Sequence, residues 1–504
     1  MSQILLTTLN ARYIHSSFGL RYLYANLHEF QKNTTIIEYV KKNDINDIVK
    51  DILSHEPKIV GIGVYIWNAS ETSRLIAAIK SKSPNTIIVL GGPEVSHSPL
   101  RVNFDLSDYI IQGEGDLEFY KLVKSILEKS KLPNRIIQAE IPKLSDIKLP
   151  YEYYNEEDIK NRVIYVEASR GCPFSCQFCL SSIDKMVRNF EIEIFLTEMD
   201  KLWLRGARHF KFVDRTFNLN IKITNQILDF FLEKDGEYFL HFEVIPDHFP
   251  DSLKEKLKFF PKGSIQLEIG IQTLNPTVAN RIQRKLNFEK IKENVTFLSR
   301  ETNSHLHLDL IIGLPGETVN SFGDNLNTLV SLTDSEIQLG LLKKLSGTSI
   351  NRHDIEFGMI YSNEPPYEIL ENDIIPLTEM QKLKRLARYW DLFYNSGNFK
   401  RSINLLWSDD ANVFETFYQF SNWLFSQLNT TWKIHLNKLA ELLFSYLSEI
   451  KKVNKVNAAK QIITDISVVP DRRIPKFLKN SAPGFKANSV ANVDKKIKRQ
   501  IKHF

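Results

Sequence analysis

The chain has 504 residues, a formal net charge of +5 and 25% charged residues. This length is enough for two to four domains with hydrophobic cores, and an apolar content of 43% is typical of a soluble globular protein. No apolar segment approaches the ~20 residues of a membrane span, and the N-terminal apolar run is too short for a signal peptide. We therefore expect a cytoplasmic protein without membrane contact, and the mild charge by itself does not indicate a nucleic-acid partner.

The first part of the chain alternates short apolar runs with amphipathic segments. The pattern predicts buried strands at 4–6, 35–37, 59–65, 86–90 and 109–111, and helices at 18–30, 45–54, 70–80 and 117–128. Such an alternation is typical of a doubly wound, Rossmann-like α/β domain, here over residues 1–130. The proline-containing stretch 131–160 is predicted to be a linker.

A second alternation of strands and helices begins at Val163. The predicted strands are 163–168, 209–213, 238–244, 264–271, 305–312 and 336–342. Six strand–helix units over residues 161–345 predict a partial (β/α)6 barrel that is open on one side. Barrels of this kind carry their chemistry at the C-terminal ends of the strands.

After a connecting segment, 346–371, the strand signals end and apolar residues recur at helical spacing. This pattern predicts an all-helical C-terminal domain over residues 372–504. Its aromatic side chains are expected to fill a helical core: Trp390, Phe393, Tyr394, Trp407, Trp423 and Phe425. The tail from Arg472 onward is basic, with four charges within 495–499, and it is either a solvated end or a nucleic-acid-binding arm.

All three cysteines of the chain, Cys172, Cys176 and Cys179, lie in one eight-residue stretch with the spacing C-x3-C-x2-C. The stretch closely follows the first predicted barrel strand. Three thiolates on one loop can hold three irons of a cubane cluster, which leaves the fourth iron open to a substrate or cofactor. The alternative is a zinc site that combines the three cysteines with His209 or His241.

The cysteine loop, with the aromatic Phe178 before its last cysteine, resembles the signature of the radical S-adenosylmethionine (SAM) enzymes. The resemblance implies a [4Fe-4S] cluster on Cys172, Cys176 and Cys179, with SAM bound at the open iron. It also implies reductive cleavage of SAM to methionine and a 5′-deoxyadenosyl radical, a reaction in which the cofactors carry the chemistry and the protein supplies positioning.

Three later motifs match the same family in the expected order along the chain. Asp214 ends the second barrel strand, where the family places groups that meet the SAM amino group, although a loop or capping residue is equally compatible with the pattern. The fourth strand carries an E-x-G-x-Q element that contacts SAM in the family, followed by an arginine that either pairs with the SAM carboxylate or is an ordinary surface residue. The fifth ends in a G-x-P-G-E turn that lines the adenine and ribose pocket in the family. The residues concerned are Glu268, Gln272, Arg284, Gly313, Pro315, Gly316 and Glu317.

The N-terminal domain resembles the cobalamin-binding domains that precede some radical SAM barrels. The implied cobalamin site lies at the strand ends, at Tyr65, Gly91, Gly92 and Gly113, where glycines allow close approach of the backbone. The chain departs from the D-x-H-x-x-G motif of domains in which histidine ligates cobalt, because His15 lacks the orienting aspartate. We therefore expect no protein ligand on the lower face of cobalt. A degenerate domain that binds no corrin is the alternative.

Together these resemblances imply a cobalamin-dependent radical SAM enzyme with an uncharacterised helical C-terminal domain. The first functional hypothesis is methylation of an unactivated carbon of a small-molecule or natural-product substrate, with an electron donor such as flavodoxin or ferredoxin. The alternatives are a non-methylating rearrangement, cyclisation or C–S bond formation with the same cofactors, and a non-catalytic cobalamin or iron–sulfur sensor. We do not expect a nucleic-acid substrate.

Overall fold

A computed structural model of the chain describes residues 3–408, 412–469 and 472–487. The basic cluster at 495–499 lies outside the described residues. Backbone contacts divide the chain into two compact units. The first comprises Met1–Phe242, Lys343–Asn351 and Ser362–Glu368, and the second comprises Glu243–Leu342, Arg352–Tyr361 and Ile369–Phe504.

The first unit begins with a six-stranded parallel sheet in the order β2-β1-β3-β4-β5-β6. Its elements are β1 (Ile4–Asn10), α1 (Phe18–Ala25), β2 (Thr34–Val40), α2 (Ile45–Ser54), β3 (Ile59–Gly63), α3 (Ala69–Lys82), β4 (Ile87–Gly91), β5 (Tyr109–Gln112), α4 (Glu118–Leu127) and β6 (Ile136–Gln138). One face of the sheet packs on α2 and α3 and the other on α1 and α4. The prediction of a doubly wound α/β domain is confirmed.

Two details of this sheet differ from the sequence-based expectation. Strand β6 lies within the predicted linker and pairs with β5; its three residues are too few to show a periodic pattern. The helix predicted to run to Phe30 ends at Ala25. The Asn26 side chain donates to the carbonyls of Tyr22 and Lys148, at 2.9 and 3.1 Å, and accepts from the Lys148 amide at 2.9 Å. These bonds hold the backbone out of the helix at this point.

The rest of the first unit carries three of the predicted barrel strands. The elements are α5 (Glu156–Asn161), β7 (Ile164–Val166), β8 (Ser169–Arg170), β9 (Arg188–Asn189), α6 (Ile192–Leu204), β10 (His209–Phe212), α7 (Ile221–Leu232) and β11 (Phe239–Val244), of which the last two residues are assigned to the second unit. Strand β10 pairs in parallel with both β7 and β11. Strands β8 and β9 form a separate antiparallel pair.

The second unit carries the other three barrel strands and the helical region. Its elements are α8 (Asp251–Leu257), β12 (Ile265–Gln272), α9 (Pro276–Arg281), α10 (Phe288–Glu301), β13 (His305–Ile312), α11 (Val319–Leu332), β14 (Glu336–Leu341), β15 (Ile360–Tyr361), β16 (Ile369–Glu371), α12 (Leu377–Trp390), α13 (Val413–Leu428), α14 (Leu436–Ser445), α15 (Lys455–Ser467) and α16 (Lys476–Ser481). Strand β13 pairs in parallel with β12 and β14. All six predicted barrel strands are therefore present as members of parallel ladders.

The helical region is tied to β14 by a side chain that mimics a neighbouring strand. Asn395 accepts from the Ile337 amide and donates to the Ile337 carbonyl, both at 2.9 Å. Trp390, Phe393 and Tyr394 are buried, as predicted for a helical core. Beyond Glu371 the described residues form helices and no named strand. In the described ranges we find no helix that combines the length and apolar character needed to cross a bilayer.

Candidate functional site

The cysteine loop lies between β8 and β9, which close its base. Cys172 and Cys176 are buried, Cys179 is half-buried, and none of the three is in a disulfide. The Cys172 amide donates to the Asp184 carbonyl at 2.9 Å, and the Ser182 hydroxyl lies 2.9 and 2.7 Å from the carbonyls of Cys176 and Cys179. The backbone is thus held by its own hydrogen bonds while three thiols remain on one loop. This donor set fits a cubane cluster with one open iron.

The structure gives no support to the zinc alternative through His209. That histidine is the first residue of β10, where its ring packs edge-on against Phe239 at 5.0 Å. The cysteine loop follows the opposite, C-terminal end of the neighbouring strand β7. His241 lies in the middle of β11, in register with Lys211.

Asp214 connects the end of β10 to the start of the cysteine loop. Its carboxylate accepts from the Ala168 amide at 3.1 Å and from the Ser169 hydroxyl at 2.6 Å. The side chain is buried, and burial raises the pKa of Asp214 to about 7. Both oxygens of this predicted SAM contact therefore have acceptor roles within the fold, and these bonds fix the chain just before the first cysteine.

A cavity of about 610 Å³ opens at the C-terminal edge of the first sheet. The residues predicted to contact cobalamin all line it: Tyr65, Gly91, Gly92 and Gly113. Its wall also includes apolar side chains from the sheet and the helices around it, Leu20, Val89, Ile111 and Phe119, and residues next to the cysteines, Arg170, Gly171, Leu180 and Ser181. One cavity therefore borders both the strand-end glycines and the cysteine loop.

Two of these glycines are required by the backbone itself. Gly92 has φ +109°, and a Cβ there would lie 2.5 Å from the Val64 carbonyl oxygen. Gly113 has φ +92°. Gly91, in contrast, has open space on its Cβ side, with the nearest atom at 4.0 Å. Tyr65 is held by stacking on Trp67, with ring centroids 4.5 Å apart.

His15 is not among the residues that line this cavity in the described part of the chain. Its Nδ1 lies 2.7 Å from the Tyr165 hydroxyl, and burial lowers its pKa. Tyr13 stands at the position of the missing aspartate, and the Asn10 side chain donates to the His15 carbonyl at 2.9 Å and to Glu38 at 2.6 Å. These contacts support the expectation that His15 is not a cobalt ligand. A different histidine, His97, lines the cavity and was not predicted.

In the second unit, the E-x-G-x-Q element occupies the end of β12. Glu268, Gly270 and Gln272 alternate with buried residues, so they share one face of the strand. Gln272 has φ +71° at an irregularity in the β12–β13 ladder. The Arg284 guanidinium donates to the Gly270 carbonyl. Arg284 is therefore tied to the same strand end as the other two predicted residues.

The turn after β13 is held by α9 and α11. Gly313 and Gly316 have φ +86° and +77°, and Arg281 donates to the Pro315 carbonyl at 2.8 Å. Glu317 is buried and accepts from Thr273 at 2.6 Å and from Asn325 at 2.9 Å. Burial raises the pKa of Glu317 to about 7. Glu317 thus connects the ends of β12 and β13, a role that the sequence did not indicate.

One further set of polar groups lies on the inner strands of this unit. Glu268 faces His307 in the β12–β13 register, and the ligand atoms of Glu268, His307 and Asp309 all lie within 4.8 Å of one another. Neither histidine nor aspartate was singled out from sequence, although the period-2 alternation of β13 places both on one face with the apolar residues on the other.

Three family models match successive parts of the chain. They are the B12 binding domain over residues 4–123, the radical SAM superfamily over 166–329, and a protein family of unknown function, DUF4080, over 355–504. The chain combines a B12-binding domain, a radical SAM domain and a DUF4080 region. This confirms the predicted family and, at the level of the family, the three predicted cofactors: a [4Fe-4S] cluster, SAM and cobalamin.

Several curated relatives carry methyltransferase names, among them the following two. An uncharacterized methyltransferase of Pyrococcus horikoshii is 26% identical over 60% of this chain and 70% of its own length. The cobalamin-dependent radical SAM methyltransferase TokK of Streptomyces tokunonensis is 24% identical over 57% of this chain and 47% of its own length. The match therefore covers only about half of TokK.

The fold resembles a solved structure of the same cofactor class. The cobalamin-dependent SAM radical enzyme OxsB, solved with aqua-cobalamin and SAM, superposes with a TM-score of 0.60 at 15% identity. The superposition covers 92% of this chain and 78% of that one. This likeness extends to the described helical region and confirms the predicted fold class.

Proposed function

We propose that this protein is a cobalamin-dependent radical SAM methyltransferase that methylates an unactivated carbon of a small-molecule or natural-product substrate. The observation that carries the proposal is the composition of the cavity wall in the first unit. Strand-end glycines of the B12-binding domain and residues directly flanking the cluster cysteines border one space of about 610 Å³. A corrin held by the glycines would therefore lie next to the cysteine loop.

The chain's own residues would hold and separate the three cofactors. Cys172, Cys176 and Cys179 would ligate the cluster, and Gly91, Gly92 and Gly113 would let the corrin approach the backbone. The apolar side chains of Leu20, Ile111 and Phe119 line the cavity and would exclude water from around a bound corrin. When bound, the cluster supplies the electron that cleaves SAM, and cobalamin carries the methyl group.

The SAM contacts proposed from the sequence are Phe178, Asp214, Glu268, Gln272, Arg284 and the turn formed by Gly313, Pro315, Gly316 and Glu317. For Asp214 and Glu317 the hydrogen bonds within the fold support an indirect role. Asp214 holds the backbone just before the cysteine loop, and Glu317 holds the end of the strand that carries Glu268 and Gln272. Glu268 and Gln272 are half-buried on one strand face, which supports direct contact. An electron donor such as flavodoxin or ferredoxin, and a cytoplasmic location, are part of the same proposal.

The first test is anaerobic purification followed by iron, sulfide and cobalamin assays and measurement of 5′-deoxyadenosine after reduction with SAM. Cys172→Ala, Cys176→Ala and Cys179→Ala are each expected to lose the brown chromophore and SAM cleavage, because no other cysteine exists in the chain. Ser175→Ala, in the same loop, is the matched control and should keep its iron. Cleavage of SAM by the triple cysteine variant would refute the cluster assignment.

The second test separates methyl transfer from other radical reactions. A methyltransferase that uses cobalamin consumes one SAM as methyl donor and one as radical source, so S-adenosylhomocysteine and 5′-deoxyadenosine should both form, the former only when cobalamin is bound. Formation of 5′-deoxyadenosine without S-adenosylhomocysteine would contradict methylation while leaving the radical SAM assignment intact.

A further inference from the structure

The cysteine loop is closed at its base by a pair of arginines. Ser169 pairs with Asn189 and Arg170 pairs with Arg188 in the short β8–β9 ladder. Gly171 follows Arg170 with φ +91°, and a Cβ there would lie 2.3 Å from the Met186 carbonyl oxygen. The chain therefore passes from Arg170 into Cys172 through a turn that only glycine tolerates.

A single carboxylate from the B12-binding domain bridges these two arginines. Glu114 accepts from Arg170 at 2.7 Å through Oε2 and from Arg188 through Oε1. Arg188 also donates to Asp184 at 3.0 Å, and Asp184 is the residue whose carbonyl accepts from the Cys172 amide. Glu114 thus contacts both sides of the loop base.

Two more carboxylates complete the coordination of Arg170. Its guanidinium donates to Asp116 at 2.9 and 3.1 Å and to Glu167 at 2.9 Å. The Arg170 side chain is only 12% exposed and lies 4.7 Å from the centre of the Tyr22 ring. A planar guanidinium with its donors engaged in this way has one favourable orientation, since the fork geometry of its N–H groups is fixed.

The turn that supplies Glu114 also forms part of the cavity wall. Gly113, Glu114, Gly115 and Asp116 follow β5, and all four line the cavity. Movement of this turn would therefore change both the cavity edge and the base of the cysteine loop. The ion pairs of Glu114 are partly buried and resist such movement, because separating the partners leaves charges without a counter-ion where access to water is limited.

We propose that Glu114 is a positioning residue that sets the separation between the iron–sulfur cluster and cobalamin. It does so by binding Arg170 and Arg188, at the base of the cysteine loop, and thereby connecting that loop to the turn that lines the cavity. The inference rests on the proposed use of both cofactors. In this role Glu114 acts through the two arginines.

The test measures the magnetic interaction between the two cofactors in the reconstituted holoprotein. A reduced cluster accelerates the electron-spin relaxation of nearby cob(II)alamin, and this enhancement falls steeply with distance. The half-saturation power of the cob(II)alamin signal is compared with the cluster reduced and oxidised. Wild type should show a rise on cluster reduction, and Glu114→Gln, which places an amide N–H₂ against two guanidinium groups, should show a smaller one.

Glu118→Gln is the matched control, because Glu118 lies four residues away and pairs with Lys121 on an exposed helix surface. It should match wild type. If Glu114→Gln fails to take up both cofactors, Glu114→Asp is used instead, since it keeps the negative charge on a shorter side chain. Its half-saturation power is also expected to rise less than that of wild type.

If the Glu114 variant binds both cofactors and its half-saturation power rises as much as that of wild type, the positioning role is overturned. A lower melting temperature with an unchanged rise would also overturn it, because Glu114 would then be only structural. Failure of wild type to bind cobalamin or to assemble a cluster is a distinct result, which overturns the proposed function and this inference with it.

Discussion

Alanine substitutions at Gly92 and Gly91 distinguish a glycine that the fold requires from a glycine that cobalamin binding would require. Gly92 follows β4 with φ +109°, outside the range in which an L-residue is unstrained. A Cβ at this position would lie 2.5 Å from the Val64 oxygen and 3.0 Å from the Val64 nitrogen. Both neighbours are backbone atoms of the segment after β3, so the clash cannot be relieved by a side-chain rotation.

The expected loss of stability has two sources. Holding alanine in this backbone region costs about 1–3 kcal/mol, and overpacking against a rigid neighbour costs about 1–3 kcal/mol more. The sum is about 2–6 kcal/mol. A loss of about 1 kcal/mol lowers the Tm of a domain the size of the B12-binding domain by roughly 4 °C. The midpoint of the first unfolding transition of Gly92→Ala should therefore fall by about 8 °C or more.

Gly91 provides the matched substitution one residue earlier. Its Cβ would have the nearest atom at 4.0 Å, so Gly91→Ala should leave the Tm of the cobalamin-free protein unchanged. If a corrin approaches this backbone closely, the same methyl group should weaken cobalamin binding by about tenfold or more, which corresponds to about 1.4 kcal/mol. Calorimetry of the cobalamin-free proteins and spectroscopic titration with hydroxocobalamin measure the two effects separately.

Two results would refute this reasoning. An unchanged Tm for Gly92→Ala would show that the backbone around Val64 adapts easily and that the strain argument is wrong. Wild-type cobalamin affinity in Gly91→Ala would show that the corrin does not need a glycine at the strand end.

The remaining predictions concern one residue each. Burial raises the pKa of Asp214 to about 7. Between about pH 4 and 7 the folded chain therefore keeps a proton on Asp214 that the unfolded chain has lost. The free energy of unfolding should fall by about 4 kcal/mol as the pH rises through this range. Asp214→Asn should flatten this part of the curve of unfolding free energy against pH, and an unchanged slope would contradict the shift. Glu268→Ala should weaken SAM binding with iron content intact, as measured by equilibrium dialysis; unchanged affinity would remove it from the SAM contacts. His15→Ala should bind hydroxocobalamin with a wild-type spectrum, because Tyr165 already engages Nδ1, and a changed axial-ligand spectrum would show that His15 ligates cobalt.

Much of the fold could be predicted from local patterns. All parallel strands except β6 were recognised from the sequence, because each is a short apolar run that ends at a glycine, proline or polar turn. Strand β6 was missed because three residues carry no period. The early end of α1 was missed because Asn26 bonds to Lys148, a partner 122 residues away.

The sequence by itself was enough to predict the cluster site, because Cys172, Cys176 and Cys179 lie within eight residues and need no distant partner. Only the tertiary structure shows which distant polar groups contact each other around the predicted sites. Glu114 meets Arg170 across 56 residues, and Glu317 meets Thr273 across 44. The Glu317 pair depends on β12 and β13 being neighbours in a parallel sheet, and the Glu114 pair on contact between the turn after β5 and the base of the cysteine loop. The local sequence around a carboxylate does not identify such a distant partner.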